Sequence, residues 1–280
     1  MNMPPLESID DRIRQIWSAP DTAVLRQLDA AKFVAHNIPL GSTEGTRTGE
    51  PFISETGRAR ALRDALKLFA GTARTAVDLG CLEGGLSFEL RRAGLEVLGV
   101  EGRAENFAKC LLIKDFYKAL GGLDFLLSDV RAFEPVQAFD VVVCSGLLYH
   151  LDDPASYIGQ LGTLTMPGGM LYLDTHVAPA EDELAQSAFV AELSPFKTTN
   201  SGDCEIRYRE YRENVALPES SIGNAVSLWM DTASHLQLLA RAGFGRVFEL
   251  HGYYGAGETA LARKFSRKYF VALKDPASDK

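Results

Sequence analysis

The chain has 280 residues, of which 46% are hydrophobic and 24% are charged, and its formal net charge is −8. A chain of this size and composition can bury one substantial core and a smaller appended lobe, so we expect a globular, soluble protein. The acidic balance argues against a broad basic groove for nucleic acid, because phosphate binding depends on clustered lysines and arginines. A small or neutral partner is favoured instead.

Targeting and metal-binding patterns are not apparent in the sequence. No apolar run is long enough to span a membrane, and the start, MNMPPLESIDDRIRQIW, lacks the basic and apolar parts of a signal peptide. We therefore expect a cytoplasmic protein without a membrane partner. The four cysteines (Cys81, Cys110, Cys144 and Cys204) form no CxxC pair and have no histidine at ligand spacing, so no zinc site is expected.

Residues 1–70 form the first predicted unit, a helical segment. Helical periodicity in LESIDDRIRQIW and in RARALRDALKLFA flanks the glycine-rich stretch HNIPLGSTEGTRTGEP. This stretch is too polar to belong to the core. Phe33, His36, Arg47 and Phe52 are expected to close over a ligand, so that the segment acts as a lid. A linker with no catalytic part is the alternative.

Residues 71–280 form the second predicted unit, in which strands alternate with helices. The predicted strands are TAVDL, LEVLGV, LDFLLSD, FDVVVCS, GMLYLDT, GRVFEL and KYFVALK. This rhythm predicts a doubly wound α/β fold with a mostly parallel seven-stranded sheet, whose ligands bind beyond the carboxyl ends of the strands. An insertion at 176–228 follows the fifth strand and is placed to cover the ligand crevice. After it, SLWMDTASHLQLLARAGF is expected to be helical.

The stretch AVDLGCLEGGLSFEL, residues 76–90, joins the first of these strands to a helix through a glycine turn. Such a turn is a common nucleoside or phosphate site, because glycine backbone and helix N-terminal amides can approach a ligand closely. A dinucleotide fingerprint needs glycines at positions 80, 82 and 85, and position 82 is Leu82. A pyrophosphate cofactor is therefore disfavoured. A P-loop is excluded because no GK[ST] follows the turn.

Polar side chains also follow the next three strands. Glu101 ends the second strand about 20 residues after the turn, where a carboxylate can accept hydrogen bonds from both ribose hydroxyls. Asp129, with Val130, ends the third strand, where an acid can bind the exocyclic amine of adenine. The fourth strand runs into SGLLYHLDDP, and a PGG turn precedes the fifth.

Together these features resemble the class I methyltransferases that use S-adenosylmethionine. The resemblance covers residues 75–176 closely and 229–273 more loosely, and it departs from the family at Leu82, where the middle glycine of GxGxG is expected. It implies S-adenosylmethionine as cofactor. The cofactor-binding residues that it implies are Asp78, Gly80, Cys81 and Gly84 at the methionine end, Glu101 at the ribose, Asp129 and Val130 at the adenine, and Cys144 and Gly146 after the fourth strand.

Two histidines are candidates for a general base. Methyl transfer is an in-line displacement in which the protein orients the acceptor and, for a hydroxyl, removes its proton. His150 follows the fourth strand and carries an imidazole, the group most often used as a general base, although it could merely pack the following helix start, which Asp152 or Asp153 would cap. His176 follows the fifth strand, two residues after Asp174. A divalent metal on these groups is the weaker alternative, and we expect no metal.

Substrate-side candidates come from the insertion and its edges. Arg207, Tyr208 and Arg209 could bind an anionic or ring-shaped acceptor, but the interleaved glutamates also fit a self-compensated strand or helix face. Tyr149 and Trp229 could line the acceptor pocket, although Trp229 could equally belong to the core.

The sequence therefore predicts a methyltransferase that acts on a small molecule, most readily on oxygen, with His150 or His176 as base. Two alternatives stay open. One is a transferase that adds a carboxymethyl group to the wobble uridine of tRNA, which GLLYHLDDP also resembles but which the charge of −8 disfavours. The other is a non-catalytic regulator that binds the cofactor. A homodimer is neither predicted nor excluded.

Overall fold

The computed structural model describes residues 8–187, 189–253 and 266–277. Residues 1–7 of the first predicted unit and residues 188, 254–265 and 278–280 of the second lie outside the described part. The helices are α1 (Ile9–Ser18), α2 (Thr22–Ala30), α3 (Gly57–Phe69), α4 (Gly85–Arg92), α5 (Ala104–Phe116), α6 (Pro154–Leu164), α7 (Glu181–Leu184) and α8 (Thr232–Arg241). The strands are β1 (Thr75–Leu79), β2 (Glu96–Glu101), β3 (Leu123–Leu127), β4 (Phe139–Ser145), β5 (Thr165–His176), β6 (Lys197–Ser201), β7 (Cys204–Arg212), β8 (Val226–Met230), β9 (Phe244–Leu250) and β10 (Arg267–Lys274).

The main sheet has seven strands in the order β3-β2-β1-β4-β5-β10-β9. The first five are mutually parallel, whereas β10 runs antiparallel to both β5 and β9. The strand order reverses between β1 and β4, and a crevice forms at such a point beyond the carboxyl ends of the strands. This topology confirms the predicted doubly wound, mostly parallel fold.

Helices cover both faces of the main sheet, which explains why its central strands are apolar along their whole length. One buried cluster lies between the sheet and α3, α4 and α5, and it takes in Ile13, Val24 and Leu28 from the first two helices. The second cluster lies on the opposite face, against α6 and α8. None of the helices within the described ranges is long and apolar enough to cross a membrane.

The insertion contains a separate three-stranded antiparallel sheet in the order β6-β7-β8. The helix predicted from SLWMDTASHLQLLARAGF was wrong at its start, because β8 ends at Met230 and α8 begins only at Thr232. Trp229 and Met230 are buried in this strand, and Trp229 pairs with Arg209 of β7. Asp231 separates the two elements, since its side chain accepts a hydrogen bond from the Ser234 amide and caps α8.

The segment between α2 and α3 is more buried than its composition suggested. His36 and Asn37 are each 5% exposed and Ile38 is fully buried, so the expectation that this stretch is too polar for the core was wrong for its first residues, whereas residues 42–51 are exposed or half-buried as expected. Its polar groups are paired inside the protein: the side-chain oxygen of Asn37 accepts from the Arg47 amide, and Thr46 Oγ accepts from the Ile38 amide. Pairing removes the cost of burying these groups.

Candidate active site

A cavity of about 500 Å³ opens at the carboxyl ends of β1, β2, β4 and β5; we call it the main cavity. Its volume is in the range of small-molecule and cofactor sites. Most of the residues that the sequence indicated lie on its wall, and these are Asp78, Gly80, Cys81, Glu101, Asp129, Val130, Gly146, Tyr149, His150, His176 and Trp229. The strand ends therefore bring together groups from distant parts of the chain.

The glycine turn between β1 and α4 has an unusual backbone. Gly80, Leu82 and Gly84 have φ angles of 67°, 55° and 80°, so Leu82 adopts the left-handed conformation that a glycine would adopt more readily. The amide of Leu82 donates to Glu101 Oε2 over 2.8 Å, which ties the turn to the end of β2. Leu82 thus carries a side chain at a position whose backbone conformation favours glycine.

Two buried carboxylates flank this turn. Asp78 in β1 accepts a 2.7 Å hydrogen bond from Ser87 Oγ, and burial raises the pKa of Asp78 to about 6 against that bond. Glu101 accepts from the amides of Leu82 and Arg103, each over 2.8 Å. Burial raises its pKa also, and those two amides oppose the shift. Both side chains face the main cavity and can accept hydrogen bonds from a nucleoside ligand.

The third acid, Asp129, lies at the outer end of the main cavity. Its carboxylate forms a bidentate contact with Arg131, with distances of 3.0 Å from Nε to Oδ1 and 2.6 Å from Nη2 to Oδ2. The Arg131 side chain holds the pKa of Asp129 below its usual value, so this group is a carboxylate at neutral pH. Its remaining lone pairs can accept from an exocyclic amine.

Residues 213–224 of the insertion form a roof over the Glu101 end of the main cavity; we call them the roof segment. Arg103 Nη2 donates to the carbonyl oxygens of Val215, Ser220 and Ser221, the last over 2.7 Å. Asn106 donates to the carbonyl of Pro218 over 3.0 Å. Arg103 and Asn106 both follow β2 closely, so the helix start beside the predicted ribose acid also holds the roof segment.

His150 is paired with a carboxylate that comes from the start of the roof segment. Its Nδ1 lies 2.9 Å from Glu213 Oε1, and the Glu213 side chain is 1% exposed. Ser227 Oγ donates to the same carboxylate oxygen over 2.7 Å. Asn224 at the end of the roof segment donates to the backbone carbonyl of His150. The histidine, its carboxylate and the roof segment are thus one connected unit.

His176 belongs to a group of rings that we call the aromatic wall: Tyr149, His176, Phe189, Tyr211 and Trp229, all of which line the main cavity. His176 stacks on Trp229 with ring centroids 4.7 Å apart, and Tyr211 stacks on the same tryptophan at 4.8 Å. Burial lowers the pKa of His176 well below its usual value, so the ring is neutral at pH 7. Its Nδ1 lies 3.1 Å from the Ser266 carbonyl, which fixes Nδ1 as the protonated nitrogen.

Five other residues that the sequence indicated do not line the main cavity within the described part of the chain. They are Gly84, Cys144, Arg207, Tyr208 and Arg209. A Cβ atom on Gly84 would meet the Phe125 ring, so this glycine faces the core. Cys144 is fully buried in β4, and burial raises the pKa of its thiol. The arginines stack on Phe196, with each guanidinium carbon within 4 Å of the ring centroid (3.7 Å and 3.8 Å).

Those arginines belong to the sheet of the insertion. Arg209 is fully buried, donates to the carbonyls of Pro179 and Ser194, and contacts the carboxylate of Glu181. The strand that the alternative predicted is present, but its glutamates do not pair with its arginines: Glu210 contacts Lys197 and Glu213 contacts His150. Of the predicted lid residues, His36 reaches the cavity wall, together with its neighbours Val34 and Ala35.

A buried carboxylate in the glycine turn fastens the N-terminal segment to the site. Glu83 accepts from the amides of Val34, Ala35 and His36 over 2.8–3.0 Å and from Lys109 over 2.7 Å. In return, His36 Nδ1 accepts from the Gly85 amide over 3.0 Å. These bonds lower the pKa of Glu83 even though burial opposes the change.

The sequence reasoning did not find several residues of the wall, above all Arg58, Arg103, Phe189, Tyr211 and Glu213. Glu213 comes two positions after Tyr211 and so lies on the same face of the charged strand EIRYREYREN, but nothing in the sequence shows that this face meets the cavity. For Arg58 the only signal was its position at the start of an amphipathic helix. Throughout 8–187, 189–253 and 266–277, no three His, Cys, Asp or Glu side chains cluster to hold a metal ion.

Curated relatives match parts of the chain. A ubiquinone biosynthesis O-methyltransferase of Rhodopseudomonas palustris is 27% identical over 124 residues, which is 44% of this chain and 48% of the relative. A tRNA U34 carboxymethyltransferase of Alteromonas mediterranea is 32% identical over 114 residues, 39% of this chain and 34% of the relative. The chain thus spans about half, or less, of the length of these relatives.

A solved structure matches nearly the whole fold. The N-terminal domain of EvdMO1, crystallised in the presence of SAH and D-fucose, superposes with a TM-score of 0.67 at 21% identity, covering 90% of this chain and 96% of that one. At this identity the match establishes the fold. The family model described as a methyltransferase domain matches residues 54–254, a range that includes the glycine turn, both histidines and the roof segment. The chain therefore belongs to this methyltransferase family and has the fold of the class I methyltransferases, the enzymes that use S-adenosyl-L-methionine.

Proposed function

We propose that the protein methylates a hydroxyl oxygen of a small molecule and that His150 is the general base. The observation that carries this proposal is the 2.9 Å contact between His150 Nδ1 and the buried Glu213 carboxylate, on the wall of the main cavity. A carboxylate on Nδ1 fixes the tautomer, so that Nε2 is the nitrogen that can accept a proton. This pairing supports the role of a base over that of a packing residue.

The reaction needs little from the protein beyond orientation and removal of one proton. The cofactor supplies the methyl group on its sulfonium. The aromatic wall orients the acceptor, and Nε2 of His150 accepts the hydroxyl proton as the oxygen attacks. Glu213 then stabilises the imidazolium that forms. The roof segment excludes water from this step, because it covers the cavity from the side of Glu101.

The proposed cofactor site follows the strand ends. Asp78, Gly80 and Cys81 hold the methionine end, Glu101 accepts from the ribose hydroxyls, and Asp129 with Val130 binds the adenine. Gly146 faces the reacting end, because it follows β4 directly and lines the main cavity. Gly84 and Cys144 are proposed to support the site without contacting the cofactor. Gly84 shapes the turn, and Cys144 packs β4 against the core.

His176 is proposed as part of the acceptor wall rather than as the base. It is 9% exposed, neutral at pH 7 and stacked on Trp229. A pKa far below neutral makes a histidine a weak proton acceptor. The ring and its aromatic neighbours instead offer flat, apolar surfaces that suit the face of an aromatic or sugar ring.

The acceptor is proposed to be a ring-shaped molecule with a free hydroxyl. The aromatic wall supports this, and so do the relatives: one is named for O-methylation in ubiquinone biosynthesis, and the EvdMO1 domain was crystallised in the presence of D-fucose. Two alternatives would replace this proposal. Label in tRNA would favour carboxymethyl transfer to tRNA, and the absence of any labelled product would favour cofactor binding without turnover. The net charge of −8 disfavours an RNA substrate.

The N-terminal segment, residues 1–70, is proposed to be a fixed cover over a cofactor domain of residues 71–280. The three amides that donate to Glu83 support this role, because they hold residues 34–36 against the glycine turn. A cytoplasmic location also stays a proposal.

The proposal is tested with S-adenosylmethionine that carries an isotopically labelled methyl group. The protein is incubated with a metabolite extract and, separately, with bulk tRNA, and labelled products are identified by mass spectrometry. We expect the label on an oxygen of a small molecule. Label on nitrogen or carbon, label in tRNA, or no labelled product would contradict the proposal.

A further inference from the structure

Two of the cysteines lie side by side at the glycine turn; we call Cys81 and Cys110 the thiol pair. Cys81 belongs to the turn and Cys110 to α5, and their Sγ atoms are 3.9 Å apart. Cys81 is 3% exposed and Cys110 is fully buried, and both are free thiols. Two thiols in contact have a chemistry that neither has alone, because together they can be oxidised to a disulfide.

The two members of the thiol pair differ in their access to solvent. Cys81 lines the main cavity, whereas Cys110 does not, as far as the described residues define the wall of that cavity. Cys110 Sγ instead donates to the backbone carbonyl of Leu82 over 3.2 Å, so this side chain points at the turn from α5. A small oxidant can therefore reach Cys81 through the cavity, and Cys110 is placed to attack the oxidised sulfur.

A disulfide between these sulfurs requires a small movement. The S–S bond is about 2.05 Å long, so each sulfur has to move by about 1 Å. Gly84 leaves space beside the pair, since a Cβ atom at that position would lie 3.5 Å from Cys110 Sγ. The bond also removes the S–H of Cys110, and the Leu82 carbonyl then loses this donor.

The backbone on both sides of Cys81 resists such a movement. The amides of Gly80 and Cys81 donate to the Val100 carbonyl over 2.8 Å and 3.0 Å, and the Gly84 amide donates to the Cys81 carbonyl over 2.9 Å. The next residue, Leu82, is already held at a φ of 55°. A shift of Cys81 toward α5 therefore strains these bonds and alters the part of the cavity wall that Cys81 forms.

We propose that Cys81 and Cys110 form a reversible disulfide, and that this disulfide and the bound cofactor weaken each other. The second part rests on the proposed cofactor site, in which Cys81 lies at the methionine end. A bound cofactor occupies the cavity in front of Cys81 and shields its sulfur. The disulfide in turn alters the wall that the cofactor contacts. Oxidation therefore inactivates the cofactor-free protein in preference to the loaded one.

The oxidant is proposed to be hydrogen peroxide, and the reaction balances in two steps. The Cys81 sulfur attacks one peroxide oxygen, the O–O bond breaks, water leaves, and Cys81 becomes a sulfenic acid. The Cys110 sulfur then attacks the Cys81 sulfur, so that the S–S bond forms, the S–O bond breaks and a second water leaves. Two thiols have then lost two electrons and two protons to the peroxide. Burial raises the pKa of the Cys81 thiol, so little thiolate is present at neutral pH and we expect slow oxidation.

The test exposes the full chain to hydrogen peroxide, with and without saturating S-adenosylhomocysteine. Cys204→Ser removes a half-buried thiol outside the pair, and Cys110→Ser removes one member of the pair but keeps a donor for the Leu82 carbonyl. Intact mass detects the loss of two hydrogen atoms, and a peptide map without reductant identifies the linked cysteines. Calorimetry measures S-adenosylhomocysteine binding to the oxidised protein, and again after reduction with dithiothreitol.

Without S-adenosylhomocysteine, wild type and Cys204→Ser should form the link between Cys81 and Cys110, and Cys110→Ser should form none. The link should weaken S-adenosylhomocysteine binding by about 5- to 150-fold, the usual range for coupled sites, and dithiothreitol should restore it. Coupling is reciprocal. Saturating S-adenosylhomocysteine should therefore shift the thiol–disulfide equilibrium in a glutathione buffer toward the thiols by the same factor.

Absence of the linked peptide from wild type after prolonged oxidation would overturn the disulfide. A linked protein that binds S-adenosylhomocysteine like the reduced protein, or that has lost cooperative thermal unfolding, would overturn the coupling. Should Cys110→Ser fail to fold, Cys81→Ser takes its place and should likewise form no link. None of these measurements depends on which atom receives the methyl group. Confirmed O-methylation without the link would thus refute the disulfide alone, and the link without O-methylation would refute the proposed function alone.

Discussion

His150 Nδ1 and Glu213 Oε1 lie 2.9 Å apart, although 63 positions separate the two residues in the chain. Glu213 is almost fully buried, and Ser227 occupies another lone pair of the same oxygen. A buried carboxylate is costly unless it is paired, so this contact specifies the orientation of the histidine ring. The roof segment that begins at Glu213 also covers the Glu101 end of the main cavity.

Glu213→Gln should lower turnover by about 10- to 100-fold, since the amide can still orient the ring but cannot stabilise an imidazolium. The dissociation constant of S-adenosylhomocysteine should stay within about 2-fold. Glu210→Gln, on the preceding strand, is the control and should keep wild-type turnover. Turnover in Glu213→Gln equal to that of the wild type would remove Glu213 from the mechanism.

Arg103→Ala should loosen the roof segment, because one guanidinium nitrogen donates to three of its carbonyls. We expect S-adenosylhomocysteine binding to weaken about 10-fold and proteolytic cleavage within 213–224 to become faster. Arg246→Ala, at an exposed position of β9, should change neither. Cleavage and affinity like those of the wild type would show that the roof segment does not depend on this arginine.

Glu83→Gln should destabilise the protein by about 2–4 kcal/mol, since an amide cannot accept four hydrogen bonds and leaves buried donors unpaired. Chemical denaturation measures this loss. The variant should also be cleaved faster near residues 43–48, because the amides of residues 34–36 lose their acceptor. Glu105→Gln on the exposed face of α5 serves as the control. If Glu83→Gln matched Glu105→Gln in both assays, the proposed fixed cover would have another anchor.

Leu82→Gly should leave the free energy of unfolding within about 1 kcal/mol of the wild type, because relief of a left-handed φ offsets the added freedom of the unfolded chain. Gly84→Ala should cost at least about 1 kcal/mol, since its φ of 80° is equally left-handed and its Cβ would lie 3.0 Å from Phe125. Thermal and denaturant unfolding compare the two. A larger loss in Leu82→Gly than in Gly84→Ala would contradict the backbone argument.

Acidification should destabilise the fold partly through His36. Burial lowers the pKa of His36 from 6.5 to about 4, so this residue stabilises the fold above pH 6.5 and its contribution, on the order of 3 kcal/mol, is lost as the pH falls toward 4. Asp78 acts in the opposite direction, since its pKa is raised to about 6 and its protonation favours the folded state.

The difference between wild type and His36→Asn isolates the histidine from that opposing effect. Asparagine keeps an acceptor for the Gly85 amide but does not titrate, so the variant should lose less stability between pH 6.5 and 4 than the wild type. His251→Asn, at an exposed position, should retain the wild-type dependence on pH. Parallel curves for wild type and His36→Asn would refute the prediction.

The sheet and the three acids on the wall of the main cavity could be predicted because their signals are local. Asp78, Glu101 and Asp129 each stand at or just after the end of an apolar strand, and parallel strands bring such positions to one edge. Glu213 and Arg58 gave no such signal, since their roles depend on which distant segments pack against β4 and β5. The Val226–Met230 strand was missed because five residues with a buried tryptophan carry too little periodicity to separate a strand from the helix that follows.

The prediction that the polar N-terminal stretch lies outside the core was wrong for a different physical reason. Polarity predicts exposure only when the polar groups lack internal partners, and His36, Asn37 and Thr46 all have partners within the fold. The partner that holds the backbone of residues 34–36 in place is Glu83, a residue inside the glycine turn that the sequence had marked only for its glycines.

The most direct measurement of the central claim is the turnover of His150→Ala with the acceptor identified from the labelled extract, at saturating S-adenosylmethionine. The account predicts that kcat falls about 100- to 10,000-fold while the dissociation constant of S-adenosylhomocysteine changes less than about 2-fold. The label should remain on oxygen in the residual product. Wild-type kcat in His150→Ala would contradict the assignment of His150 as the base.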